Sequence, residues 1–236
     1  MIQTQPSLLD LIRLHVETLY IHNERARLLA VNQWDGGSVP RFFLGRTIAG
    51  NIWRFRHDIS DNLIQELETI CKKEPVVNDL SQAPKYQDTY LELLSNEQPV
   101  ESVWTGPVYW FEAIVKAKNP PVAIDETNAS LLAAGMDDWL PDVPHRRPFV
   151  VAVEDGHAVA VCASVRITDA AHEAGVETWT AYRRKGHAFD AVAGWAQSVH
   201  ELGAIPLYST SWENTASQNV AAKMGLSIFG ADFHIT

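Results

Sequence analysis

Arg183, Arg184 and Lys185 stand directly before Gly186 in the stretch "VETWTAYRRKGHAFDAVAGWAQSVHELG", which runs from Val176 to Gly203. Three cations and a glycine at the mouth of a helix suit an anionic ligand. The first N–H groups of a helix have no partner within it, and the macrodipole adds partial positive charge there. A glycine lets a bulky anion reach the backbone, and arginine or lysine adds charge-assisted hydrogen bonds. The pattern reads as a phosphate cradle. GxxxxGK[ST] and GxGxxG are both absent, so it is neither a P-loop nor a dinucleotide fingerprint. The competing reading is an exposed basic turn that its charges merely solvate.

The elements that must hold this loop are legible on both sides. "EAGVETW" reads as a short strand before it. The helix after it, from about Gly186, carries Ala188, Val192, Trp195, Ala196, Val199 and Leu202 on one face, and Gly203 ends it. "IPLYSTSW" is a strand, "NTASQNVAAKMG" a helix ending at Gly225, and "LSIFGADFHI" a last strand. Upstream lies "FVVAVEDGHAVAVCASVRI", in which Asp155-Gly156 suits the left-handed dihedrals of a type I′ hairpin turn. "VWTGPVYWF" is strand-like, and "NASLLAAGMDDWL" reads as a short helix. Before residue 100 the pattern predicts a helix from Ser7 to about Glu24. The strand-like runs "RLLAVN", "RFFLGRT" and "NIWRFR" follow, then helices in "DNLIQELETICKK" and "PKYQDTYLELLS". That region carries no chemical motif.

In this order the elements resemble the GNAT superfamily of acyl-CoA-dependent N-acetyltransferases. The family signature R/Q-x-x-G-x-G/A matches Arg183-Arg184-Lys185-Gly186-His187-Ala188, with aromatic Tyr182 before it. A second pattern, N-x-x-[AS]…K-x-G-[FL], matches Asn214, Ser217, Lys223, Gly225 and Leu226. The resemblance covers residues 149–235, and more loosely from about 103. It implies an α/β (α+β) fold: a mixed, twisted sheet that splays near its middle, with helices on both faces. Here an N-terminal α+β extension (1–100) precedes the GNAT-like domain (101–236). It also implies acetyl-CoA as co-substrate and a small-molecule amine as acceptor. The hexapeptide would grip the pyrophosphate, the backbone of Val176, Glu177 and Thr178 the pantetheine arm, and Asn214 and Ser217 would also face the cofactor.

The resemblance places a catalytic glutamate close to Glu173, apparently one position out of register. His172 beside it has an ordinary pKa nearer neutrality. Both also fit a solvated loop between strands. Glu177 would bind a cationic substrate if it points into the cleft. The family's usual acid is a tyrosine four residues before the glycine of K-x-G, and that position is Ala221 here. Tyr208 could replace it if its ring enters the cleft; a core tyrosine is the plainer reading. The thiolate could also leave unaided, as its conjugate acid has a pKa of about 8.5.

The 236 residues carry a net charge of −10, which speaks against a nucleic-acid backbone as main partner. Cys71 and Cys162 lie far apart and form no CxxC, so neither a thiolate metal site nor a disulfide framework is expected. Reduced thiols fit a cytoplasmic protein. The opening "MIQTQPSLLDLIRLHVETLY" mixes polar and charged residues into its apolar pattern, unlike a signal peptide. No apolar run of about 18 residues suggests a membrane span. The family usually continues with two final strands where this chain has one. The sheet is therefore expected to be completed by the N-terminal segment or by a second copy in a homodimer.

Overall fold

A computed structural model describes residues 6–236; the first five residues of the N-terminal stretch read above lie outside the described residues. In chain order the elements are α1 (Leu8–Leu19), β1 (Tyr20–His22), β2 (Leu28–Val31), β3 (Phe42–Thr47), β4 (Gly50–Phe55), α2 (Asp61–Cys71), α3 (Gln87–Glu97) and β5 (Val103–Trp110). There follow β6 (Val122–Ala123), β7 (Phe149–Glu154), β8 (His157–Ile167), β9 (Ala171–Thr178), α4 (His187–Glu201), β10 (Ile205–Ser209), α5 (Thr215–Lys223) and β11 (Ser227–Ile235). The chain divides into two compact units: residues 1–108, 209–214 and 228–236, and residues 109–208 with 215–227.

In the first unit the strand order is β4-β3-β11-β5. β11 runs antiparallel to β3, with Phe233 opposite Leu44 and Ile235 opposite Phe42. The N-terminal segment thus supplies the partner that the last strand lacked in the sequence. Period-two alternation sorts the side chains. Phe42, Leu44, Phe233 and Ile235 pack with α2 and α3, whereas Phe43 joins Val16 of α1 with Tyr20 and Leu28. Helices therefore cover both faces. On the α1 side His15 Nε2 and Asp232 Oδ2 form a buried pair at 2.7 Å.

The second unit has the order β10-β9-β8-β7-β6. β7 and β8 form the expected hairpin, and its turn residues Asp155 and Gly156 have φ of 52° and 80°, as a type I′ turn requires. β9 is antiparallel to β8 and parallel to β10, so the sheet is mixed. One face carries Cys162, Ala174 and Val176 against Trp195, Val199 and their neighbours on α4. Gly194, an apparent weak point inside that helix, makes room for Pro121: an added Cβ would lie 2.4 Å from the proline Cγ.

The opposite face is covered by residues 124–143. The short helix expected in "NASLLAAGMDDWL" is instead two 3-10 turns, Ala129–Leu132 and Asp137–Asp142. Gly135, at φ 146°, breaks the run between them, and Pro141 keeps the second from extending as an α-helix.

Candidate cofactor and catalytic site

β9 is the element on which the site is built. Its pairing with β10 covers three residues only, Ala171 with Ile205, His172 with Pro206 and Glu173 with Leu207. Beyond Glu173 the two strands part, and β9 continues to Thr178 with β8 alone at its side. The Trp179 amide donates to the Val159 carbonyl at 2.9 Å. Antiparallel pairs alternate between bonded and non-bonded positions, so Glu177 and Gly175 also spend their backbone groups on β8. Ala174, Val176 and Thr178 turn theirs to the open edge. Of the three strand residues expected at the cofactor, Val176 and Thr178 therefore present the edge. Glu177 does not; its exposed carboxylate accepts from the Trp139 indole at 2.6 Å, on the face away from α4.

One 3-10 turn, Thr180–Tyr182, joins the strand to the basic loop. Arg183 Nε donates to the Thr178 carbonyl at 3.2 Å, tying the loop to the strand end. Arg184 adopts φ 68° and Gly186 φ 100°. A left-handed non-glycine residue costs about 1–2 kcal/mol, and such strain gathers at ligand-binding turns. Gly186 is the N-cap of α4 and offers no side-chain cap, so the first amides of the helix are left without a side-chain acceptor. An added Cβ at Gly186 would meet nothing within 4 Å, which leaves open space at the helix mouth. The residues thus fit a diphosphate: free amides, a positive dipole end, and the exposed guanidinium groups of Arg183 and Arg184.

Lys185 and His187 are differently occupied. Lys185 Nζ lies 3.1 Å from Glu154 Oε1, and His187 Nε2 lies 2.6 Å from Glu154 Oε2. Lys185 also sits over the Tyr182 ring, 4.5 Å from its centroid. The hydrogen bond from Lys185 is the main cause holding the Glu154 carboxyl below its usual range. Glu154 ends β7, about thirty residues before the loop, and no local motif could have paired them.

Glu173 and His172 are strand residues, since β9 begins at Ala171, and both are buried rather than solvated in a loop. They point to opposite faces. His172 Nδ1 meets Ser164 Oγ at 2.8 Å, and Ser164 Oγ accepts from the Trp195 indole at 2.9 Å. Burial pushes the His172 imidazole below its ordinary value, which keeps it neutral in this chain of hydrogen bonds. Glu173 lies on the face away from α4, at the last rung before β9 and β10 part.

Tyr208, one residue beyond that rung, lies on the α4 face in the apolar cluster and is 2% exposed. Its ring is a core ring, as the plainer reading had it. Its hydroxyl nevertheless has a polar partner: it meets Ser217 Oγ of α5 at 2.6 Å. Burial is the main cause that raises the phenol to about 12. Ala221, where the family tyrosine would stand, is fully buried in the same cluster. Asn214 belongs to the first unit, where its amide donates to Ser211 Oγ at 3.2 Å. Among the described residues no helix is long and apolar enough to cross a membrane.

Comparison with known proteins bears on this arrangement directly. Residues 149–230 match the family model of the GNAT acetyltransferases, a span holding the hairpin, β9, the basic loop, α4, β10 and α5. No curated protein matches. Among solved structures, a GNAT-family acetyltransferase from Colwellia psychrerythraea is 14% identical, with a TM-score of 0.47 over 78% of this chain and 76% of its own. A GCN5-related N-acetyltransferase-like protein from Streptococcus suis is 14% identical, with 0.47 over 84% and 85%. A candidate GNAT acetyltransferase from Novosphingobium aromaticivorans is 17% identical, with 0.45 over 58% of this chain and 65% of that one. Such low identities, with TM-scores below 0.5, say nothing of activity. The segment match does single out the loop and its strand: residues 149–230, about a third of the chain, are similar to the GNAT acetyltransferases.

Proposed function

We propose that the chain transfers an acetyl group from acetyl-CoA to a primary amine of a small or amino-acid-like molecule, by direct attack of the amine. One observation carries the reading: the open edge of β9 leads, through the single 3-10 turn Thr180–Tyr182, into the left-handed loop and the uncapped mouth of α4. Residues 174–188 offer first backbone groups that suit the amides of a pantetheine arm, then N–H groups and cations that suit a diphosphate. Coenzyme A carries those groups in that order. Val176 and Thr178 take the arm; Arg183, Arg184 and the amides around Gly186 take the pyrophosphate.

Acetyl-CoA supplies an activated acyl carbon. What the protein adds is position and proton management. In the transfer a C–N bond forms and the C–S bond breaks. Glu173 accepts the amine proton, directly or through water, and the departing thiolate either leaves unaided or takes its proton from the hydroxyl of Tyr208, whose ring stays in the core. The two flank the point where β9 and β10 part, one on each face, so acceptor and leaving group approach from opposite sides. A phenol raised to about 12 is protonated at neutral pH, as a donor must be. A backbone amide on the open edge, such as that of Thr178 or a neighbour, is the donor for the developing oxyanion.

A second reading has one observation in its favour. With Ala221 at the family's tyrosine position, the fold would serve as an acyl-CoA sensor without turnover. Thiol release from acetyl-CoA across a panel of primary amines separates the two. Turnover of at least one amine is expected, and Glu173→Gln should lower kcat about a hundredfold, the size of a lost general base, with KM for acetyl-CoA little changed. A folded protein that binds acetyl-CoA and turns over no amine would favour the sensor.

A further inference from the structure

Among the described residues Glu154 is the one acidic side chain that reaches into the basic loop, and it meets a side chain on each side of Gly186. Its two oxygens are divided between Lys185, at 3.1 Å, and His187, at 2.6 Å. Tyr182 closes the group, beneath Lys185 and edge-on to His187 at 6.1 Å between centroids. A carboxylate here does for these two side chains what a phosphate oxygen would do. It supplies negative charge and two acceptors at the mouth of an uncapped helix. Arg184 stays uncommitted, with no ion pair or hydrogen bond among the described residues.

We infer that Glu154 is an internal counter-ion of the cofactor cradle. It holds Lys185 and His187 while the cradle is empty, competes for them with the incoming diphosphate, and so sets the affinity for coenzyme A. The inference rests on the acetyl-CoA reading above. It adds a determinant that the matched loop does not contain. The carboxylate lies on the strand before the hairpin turn, a third exposed, so replacing it leaves the core untouched. Its work is electrostatic: like charge near the diphosphate opposes binding, and salt should screen that opposition.

Calorimetric titration of acetyl-CoA into wild type and Glu154→Gln tests this. Gln keeps the shape and loses the charge. The variant should bind about two- to fivefold more tightly at low salt, the range of exposed charge effects, and the gain should fade by about 0.5 M salt. Inorganic pyrophosphate, competing with acetyl-CoA, should show the same gain, because the competition is for the diphosphate. A variant that binds equally or more weakly overturns the inference while leaving the cofactor reading intact. A gain absent with pyrophosphate does the same. A wild type that binds no acetyl-CoA removes both. Should Glu154→Gln melt early without ligand, Glu154→Thr carries the same prediction at this strand position.

Discussion

Burial holds the Tyr208 hydroxyl in its protonated form, and Ser217 gives it a partner where the apolar cluster has none to offer. That pairing has two consequences at the level of the single residue. The first is catalytic. Tyr208→Phe keeps the packed ring and loses the proton, so kcat should fall at least tenfold while the Kd for acetyl-CoA holds, as binding and turnover assays would read. A variant with undiminished kcat would mean that the thiolate departs unaided. The second concerns stability. An unfolded tyrosine ionises near pH 10, the folded one near 12. Between those values the unfolded chain has lost a proton that the folded chain retains. Stability that is complete below about pH 10 therefore declines as the pH rises toward 12. Thermal melts across that window should fall more steeply for wild type than for Tyr208→Phe. A core position was the plainer reading of Tyr208, but its Ser217 contact could not be read from "PLYSTSW", because the contact reaches across nine residues to the next helix.

At the level of the element, the account turns on which backbone groups of β9 are spent. Val176 directs its amide to the open edge and Glu177 directs its own to β8. Proline removes one amide and nothing else from the ladder arithmetic. Val176→Pro should therefore keep the fold and weaken acetyl-CoA about fivefold or more, the value of one hydrogen bond. Glu177→Pro should lower stability by about 1–3 kcal/mol through its lost β8 bond. Calorimetry and chemical denaturation would separate the two. Equal effects on both quantities would mean that the edge assignment is reversed. The sequence carried this far in part. The alternation of "GVETW" marked a strand, and Asp155-Gly156 marked the hairpin that flanks it. It did not show where pairing with β10 ends, since that depends on strand divergence and not on composition. Helical spacing also ran through Tyr20 to His22, which the structure forms as β1 because those residues pair with β2. In "NASLLAAGMDDWL" the apolar spacing was right, and the glycine within it and Pro141 directly after it decided for 3-10 turns.

For the whole molecule, a motif of few residues is carried on a chain whose first hundred residues show none. Their contribution to the first unit is structural and legible in retrospect: "RFFLGRT" became β3, the partner of the final strand. The buried His15–Asp232 pair spans 217 positions and lies beyond any local pattern. The loop and strand of the second unit, by contrast, were readable because glycine, cations and helix start occur together within six positions. The central claim is that this run of chain holds coenzyme A, and titration of acetyl-CoA into the folded protein by calorimetry tests it most directly, alongside the double variant Arg183→Glu/Gly186→Trp. The account predicts saturable binding by wild type, with heat protection of about 2.7 kcal/mol at a hundredfold excess over Kd, and loss of both in the variant. A folded wild type that takes up no acetyl-CoA would contradict it.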